Sequence, residues 1–206
     1  MKMNDLFNWH GKLGDYIICN YRGQKYIRRK PRIRHPPTSM QKAQQERMTS
    51  VGIFYKALKD AGLSPYWTEA SKGKLPHGYN LVVKENMPAF QANGEICDFT
   101  KLQPTPLLLP LPDNMQLAQE DDGSWLLQWT NTSCLPGAAE DDLLRVFLMR
   151  DAESFNLVPV NTGNACRGDG EARFSIGEAL QNYPHLYALF CSSTGWKCTN
   201  SRYFII

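Results

Sequence analysis

Long apolar runs are missing from this sequence. The most apolar stretch, residues 107–111, is broken by Pro110 and flanked by Pro106 and Pro112, far short of the about 20 residues a membrane-spanning helix needs. No membrane association is expected. Residues 1–10 include Asp5 and no apolar run, so no secretory signal is expected and the cytoplasm is the expected compartment. Histidine is scarce, with four residues (10, 35, 77 and 185), none at metal-ligand spacing from another His, Cys or carboxylate. The six cysteines (19, 97, 134, 166, 191 and 198) include no CxxC pair. That pattern speaks for separate thiols in a reducing compartment, against a zinc site or a disulfide framework.

Cys191 and Cys198 come nearest to a pair. Between them, a type I turn at Ser193-Thr194 with Gly195 as a left-handed bulge residue fits the residue types. That turn would offset the two cysteines by one position, which disfavours a disulfide.

Catalytic motifs are missing too. Ser133 and Ser175 lack a GxSxG elbow, and residues 163–170 contain glycines without the Lys-Ser/Thr of a phosphate loop. The clusters Glu120-Asp121-Asp122 and Glu140-Asp141-Asp142 lack the alternating oxygen ligands and closing Glu of a calcium loop, and read as solvated turns. Arg167-Gly168-Asp169 spells the integrin-binding tripeptide in a loop that would present it, a coincidence in a chain without an export signal. His185, after Pro184, reads as a surface histidine at a strand start. No catalytic, cofactor-binding or metal-binding residue and no small-molecule substrate is nominated, so an enzyme is not expected.

What is there suffices for folded structure. A chain of 206 residues with 42% apolar and 11% aromatic residues can bury cores in two domains of about 100 residues each. Its net charge of +3 hides an asymmetry: residues 1–50 carry 11 Lys+Arg against 3 Asp+Glu, and the remaining 156 carry 12 against 17.

Residues 16–21 and 24–29 alternate like strands around Arg22-Gly23, predicting a hairpin. Pro31, Pro36 and Pro37 keep the following segment extended. Thr38 and Gln41 stand at capping-box spacing, and Met40, Ala43, Val51, Phe54, Tyr55 and Leu58 recur at helical spacing up to Gly62. Arg47 falls inside that stripe, which predicts a structural arginine bonded to backbone carbonyls. Shorter helical pieces are expected over 65–70 and 76–92, interrupted near Pro88 and closed by Asn93-Gly94.

Four prolines within residues 103–112 read as a linker. Beyond it the period becomes two, with candidate strands at 115–120, 124–131, 143–150, 155–160, 171–176, 185–192 and 196–205. Seven short strands separated by turn residues are the signature of a β-sandwich of the fibronectin type III or immunoglobulin kind. Trp129 is its expected core anchor, and Leu180 ahead of Tyr187 suggests a tyrosine corner. The expected fold is α+β: residues 1–104 form a basic module of β-hairpin and helices, and residues 105–206 form the sandwich.

Several stretches carry a resemblance. Gly11-Lys12-Leu13-Gly14, then Arg22-Gly23-Gln24-Lys25-Tyr26-Ile27-Arg28 leading to Pro31, and Pro37-Thr38 with Gln44 and Arg47 form the specific block. Val146-Phe147, Leu186-Tyr187-Ala188-Leu189-Phe190, and Gly195-Trp196-Lys197 running into Asn200-Ser201-Arg202-Tyr203 form a second. The chain resembles the bacterial proteins grouped as domain of unknown function 6266, departing from their pattern at Pro36-Pro37 and in its cysteine content. The resemblance implies an architecture and no activity. Similar blocks in prophage and mobile-element proteins imply a virion or accessory role as an alternative setting.

The candidate contact residues are basic. Arg22, Lys25, Arg28, Arg29, Lys30, Arg32 and Arg34, with His35, are interleaved with Tyr21 and Tyr26. A cationic ribbon with aromatic rings can follow a phosphate backbone, yet on a strand Gln24, Tyr26, Arg28 and Lys30 point one way and Lys25, Ile27 and Arg29 the other. The favoured expectation is a non-enzymatic structural or interaction protein with a protein partner or copies of itself. Nucleic acid bound through residues 21–35 is the alternative.

Overall fold

The structure, a computed structural model, describes residues 11–21, 23–30, 36–73, 77–131, 137–150 and 155–206. It forms two units, Met1–Thr38 and Ser39–Ile206. The fold is α+β, with three helices and three antiparallel sheets among the described residues.

The described residues of the first unit form a sheet in the order β1 (Gly11–Leu13), β2 (Tyr16–Tyr21), β3 (Gln24–Arg29). The β2–β3 hairpin covers the two segments whose alternation predicts it, closed by the pair Tyr21 and Gln24. Three residues are too few to show a period, which is why β1 escapes sequence reading.

The second unit opens with α1 (Ser39–Asp60), which starts directly after Thr38. Gly62 ends it in the left-handed conformation (φ +74). Leu63 N–H then reaches Leu58 O at 2.8 Å and Gly62 N–H reaches Lys59 O at 3.0 Å, while Leu58 and Leu63 are both buried. Two short helices follow, α2 (Ser64–Ala70) and α3 (Gly78–Asn86), the latter continued by a tight 3-10 turn at Met87–Ala89 around Pro88.

Among the described residues seven strands follow: β4 (Asp113–Gln119), β5 (Trp125–Thr130), β6 (Leu143–Met149), β7 (Leu157–Val160), β8 (Glu171–Phe174), β9 (His185–Cys191) and β10 (Arg202–Ile205). They form a three-stranded sheet, β4-β5-β8, and a four-stranded one, β10-β9-β6-β7. Leu127, Trp129, Ala172 and Phe174 of the first sheet share a core with Leu144, Val146, Leu148, Leu186, Ala188 and Phe190 of the second. The intervening residues Phe147, Met149, Tyr187, Leu189 and Cys191 share a second core with Val51, Phe54, Leu58, Trp67 and Val82 of the helices. The central strands of the four-stranded sheet, β6 and β9, are therefore buried on both faces over most of their length. Two-sided burial explains why β6 and β9 read as continuous apolar runs where a half-solvated strand alternates.

This arrangement corrects the expected domain line. The division falls at 38/39, not near 105, and the helices belong to the same unit as the seven strands. The proline-rich segment is a buried strap. Leu108 and Leu109 N–H both reach Cys198 O, at 3.0 and 2.8 Å, and Thr105 Oγ1 donates to Thr199 O at 2.9 Å. Prolines leave few N–H groups to pair, and two of the strap's remaining ones, from Leu108 and Leu109, go to the chain before β10. For the same reason the last strand starts at Arg202 and not at 196: residues 198 and 199 pair with Cys191 and Leu109.

Tyr187 is not a tyrosine corner. It faces the helices, and its hydroxyl donates to Phe99 O at 2.9 Å, far upstream in sequence. Trp129 occupies the expected core, its indole N–H donating to Arg167 O at 2.8 Å. Arg47 also departs from expectation. Residues 39–50 of α1 are exposed or half-buried, and Arg47 Nε is buried without an acceptor among the described residues.

Candidate interaction surface and a cleft of the second unit

Register sorts the basic sheet into two faces. Cross-strand partners share a face; the pairs Tyr16–Arg29, Ile18–Ile27 and Asn20–Lys25, with Leu13 opposite Tyr16, make one. The pairs Ile17–Arg28 and Cys19–Tyr26, with Lys12 opposite Ile17, make the other. Of the nominated residues, Lys25 and Arg29 are thus brought together, and so are Tyr26 and Arg28. Lys30 lies just past β3, its Nζ donating to Gly14 O at 3.0 Å. Arg29 sits 3.8 Å from Asp15 with both side chains exposed, a weak pair. Arg22, Arg32, Arg34 and His35 lie outside the described residues.

The sequence places Ile27 on one face with Lys25 and Arg29, and the strand pairing adds Leu13 and Tyr16 to it. Leu13 and Ile27 are 57% and 65% exposed, and Tyr16 is about half exposed, on the same face as Lys25 and Arg29. All six residues of β3 are exposed. A strand pattern that places Ile27 between Lys25 and Arg29 carried this signal, since residues two apart share a face.

The second unit carries a cleft of about 460 Å³ between α2, α3 and the strap. Trp67, Leu81 and Pro106 give apolar walls, and Glu85, Gln103 and Asn200 give polar ones. Asn86 holds the strap along its side: Gln103 N–H donates to Asn86 Oδ1 at 2.7 Å, and Asn86 Nδ2 donates to Gln103 O at 3.2 Å. Trp67 Nε1 adds a bond to Pro104 O at 2.9 Å. Glu85 is the one ionisable side chain among the lining residues.

Other singled-out residues serve the framework. Asp142 is buried and pairs with buried Arg167, so the cluster 140–142 is not simply a solvated turn. With its arginine 1% exposed, Arg167-Gly168-Asp169 cannot present the integrin tripeptide. Asp169 caps its own turn, accepting Cys166 N–H at 2.7 Å. His185 is half-buried, stacked on Phe99 with centroids 3.5 Å apart and bonded to Tyr203 Oη at 2.9 Å. Among the described residues no group of three or more His, Cys, Asp or Glu is placed to hold a metal ion, and no helix is long and apolar enough to cross a membrane.

Comparison with known proteins found no family model, no curated protein and no solved structure that matches this chain.

Proposed function

We propose that this chain is a non-enzymatic interaction protein whose basic three-stranded sheet docks on an acidic protein surface. The observation that carries this reading is the face that sets exposed Leu13, Tyr16 and Ile27 among Lys25 and Arg29. A three-stranded sheet needs an apolar face against something to be stable in water. Aliphatic side chains reward burial against protein, whereas a phosphate backbone rewards cations and stacked rings. The unit Met1–Thr38 carries 9 Lys+Arg against 2 Asp+Glu, so a partner surface rich in carboxylates is the complementary one.

The body supports the same class of role. A sheet of the first, second and fifth of seven strands facing one of the third, fourth, sixth and seventh is the order of a fibronectin type III module. That order, with the resemblance to domain of unknown function 6266, favours a module that presents surfaces in the cytoplasm or, if phage-encoded, in a virion. Fold alone does not assign function.

The test is a pull-down and light-scattering comparison of wild-type protein with a Leu13→Glu/Ile27→Glu variant. Loss of a captured partner, or of self-association, with an unchanged circular dichroism spectrum supports the docking face. Equal capture by both proteins overturns it. Nucleic acid is the second reading, favoured by Arg28 beside Tyr26 on the opposite face. A fluorescent oligonucleotide bound at low salt, released steeply as salt rises and lost in Lys25→Ala/Arg28→Ala/Arg29→Ala would replace the first.

A further inference from the structure

Cys191 ends β9, and Cys198 is its partner in an antiparallel bridge. Sequence reading offsets the two by one residue through a left-handed Gly195. Gly195 is not left-handed here; the connection is a longer loop, residues 193–196, closed by Ser192 N–H to Lys197 O at 2.9 Å. Thr199 N–H to Phe190 O at 2.9 Å closes the other side. Those two flanking bonds make Cys191–Cys198 a non-hydrogen-bonded pair, the antiparallel position where facing Cα atoms come closest, at about 4.5 Å. A disulfide typically spans Cα atoms about 4.4–6.8 Å apart.

Both thiols lie in the core beneath the helices, 3% and 0% exposed. Cys198 Sγ donates to Pro106 O at 3.5 Å, on the strap that walls the cleft. Cys191 contacts the Tyr66 hydroxyl, and Tyr66 in turn meets Trp196 of the loop edge-on at 5.5 Å.

We propose that Cys191 and Cys198 are a dithiol modification site that closes to a cross-strand disulfide by exchange with a small disulfide such as oxidised glutathione. The Cys191 thiolate attacks one sulfur of the small disulfide, whose S–S bond breaks and releases one thiol. The Cys198 thiolate then attacks Cys191 Sγ and expels the second thiol. Two protein thiols are oxidised, one small disulfide is reduced to two thiols, and the two protons lost by the cysteines end on those thiols. Burial raises both thiols above their ordinary range and leaves little thiolate. Exchange therefore proceeds while the loop is open, during folding or local unfolding, and the closed bond is shielded from reductant afterwards. Closure removes the thiol hydrogen that Pro106 O accepts, so the redox state reaches the cleft wall.

The experiment refolds the full chain in glutathione buffers from reducing to oxidising, alkylates remaining thiols under denaturing conditions, and maps tryptic peptides by mass spectrometry. Cleavage after Arg173, Lys197 and Arg202 places the two cysteines on separate peptides, 174–197 and 198–202. The expected product is these two peptides joined with loss of two hydrogens, the other cysteines alkylated, and a Tm higher by roughly 5–10 °C that dithiothreitol reverses. A Cys191→Ala/Cys198→Ala protein, checked by circular dichroism, should show no redox-dependent Tm. Alkylation of both cysteines throughout the series, or joining to other cysteines instead, overturns the proposal. If the double variant fails to fold, the peptide map on the wild-type chain decides alone.

Discussion

Arg167 Nε meets Asp142 Oδ2 at 3.2 Å with both side chains 1% exposed. The guanidinium also donates to Pro110 O at 2.8 Å, and its carbon lies 5.0 Å from the centre of the Phe190 ring. Arg167 N–H bonds Asp142 O at 2.8 Å, and Ala139 N–H bonds Asp142 Oδ2 at 3.1 Å. One ion pair thus ties the loop before β6, the turn before β8 and the strap into a single joint.

Removing one member of such a pair leaves an uncompensated buried charge. Asp142→Ala should destabilise the protein by about 3–5 kcal/mol in urea denaturation. Arg167→Met should cost less than Asp142→Ala, because the carboxylate left behind keeps the Ala139 N–H and can protonate. A double-mutant cycle measures the coupling; additive losses would show that the pair acts as two independent groups.

The strap gives a second prediction. Asn86 is fully buried and satisfies both backbone groups of Gln103. Asn86→Ala orphans that N–H and that carbonyl, each at about 1–3 kcal/mol, so a loss of about 2–6 kcal/mol is expected. Asn86→Asp keeps the acceptor for Gln103 N–H but loses the donor, and should be no better tolerated. Equilibrium unfolding of the two variants side by side checks the ranking.

How much of this was legible in the sequence varies by element. The β2–β3 hairpin, α1 and six of the seven later strands stand near their expected places, placed by helical spacing, by alternation or by apolar runs bounded by turn residues. The domain line was not legible. A segment with prolines at 104, 106, 110 and 112 looks like a linker by composition, and only tertiary pairing with residues 198 and 199 reveals a strap. The direction of Tyr187 is not legible, because Leu186–Phe190 is apolar at every position and period two then carries no information about which face each residue takes. In the basic sheet, Ile27 is legible beside Lys25 and Arg29 as a strand neighbour, whereas Leu13 and Tyr16 join that face only through the pairing of three strands.

Acid should expose a surface contribution. Thr100 and then Lys101 hold the exposed Asp98 carboxyl below the ordinary carboxylate range, as Asp98 caps the turn Phe99–Lys101 and accepts Thr100 N–H at 3.0 Å. A depressed folded pKa contributes stability above the unfolded value of about 3.9, and that contribution is lost as pH falls through the lower folded value. Wild-type protein and Asp98→Asn should therefore differ in Tm at neutral pH and converge in thermal scans below about pH 3. A difference that persists undiminished in acid would trace the effect to shape and not to ionisation.

Gly78→Ala tests the contact between α2 and α3, where two opposing effects can be weighed. Inside a helix, alanine is favoured over glycine by about 1 kcal/mol. A Cβ at Gly78, however, would meet the Trp67 carbonyl carbon and oxygen at 2.9 Å and Thr68 N at 3.0 Å. These are backbone atoms of a packed helix, so relief requires moving α2 and, with it, the Trp67 indole bonded to Pro104. Overpacking typically costs about 1–3 kcal/mol, more where backbone must shift, and Gly78 stands at the first residue of α3, where propensity counts least. The clash wins. Gly78→Ala should lower Tm by several degrees and quench or shift the near-ultraviolet signal of Trp67. A Tm at or above wild type would mean that α2 and α3 separate more freely than their buried faces imply.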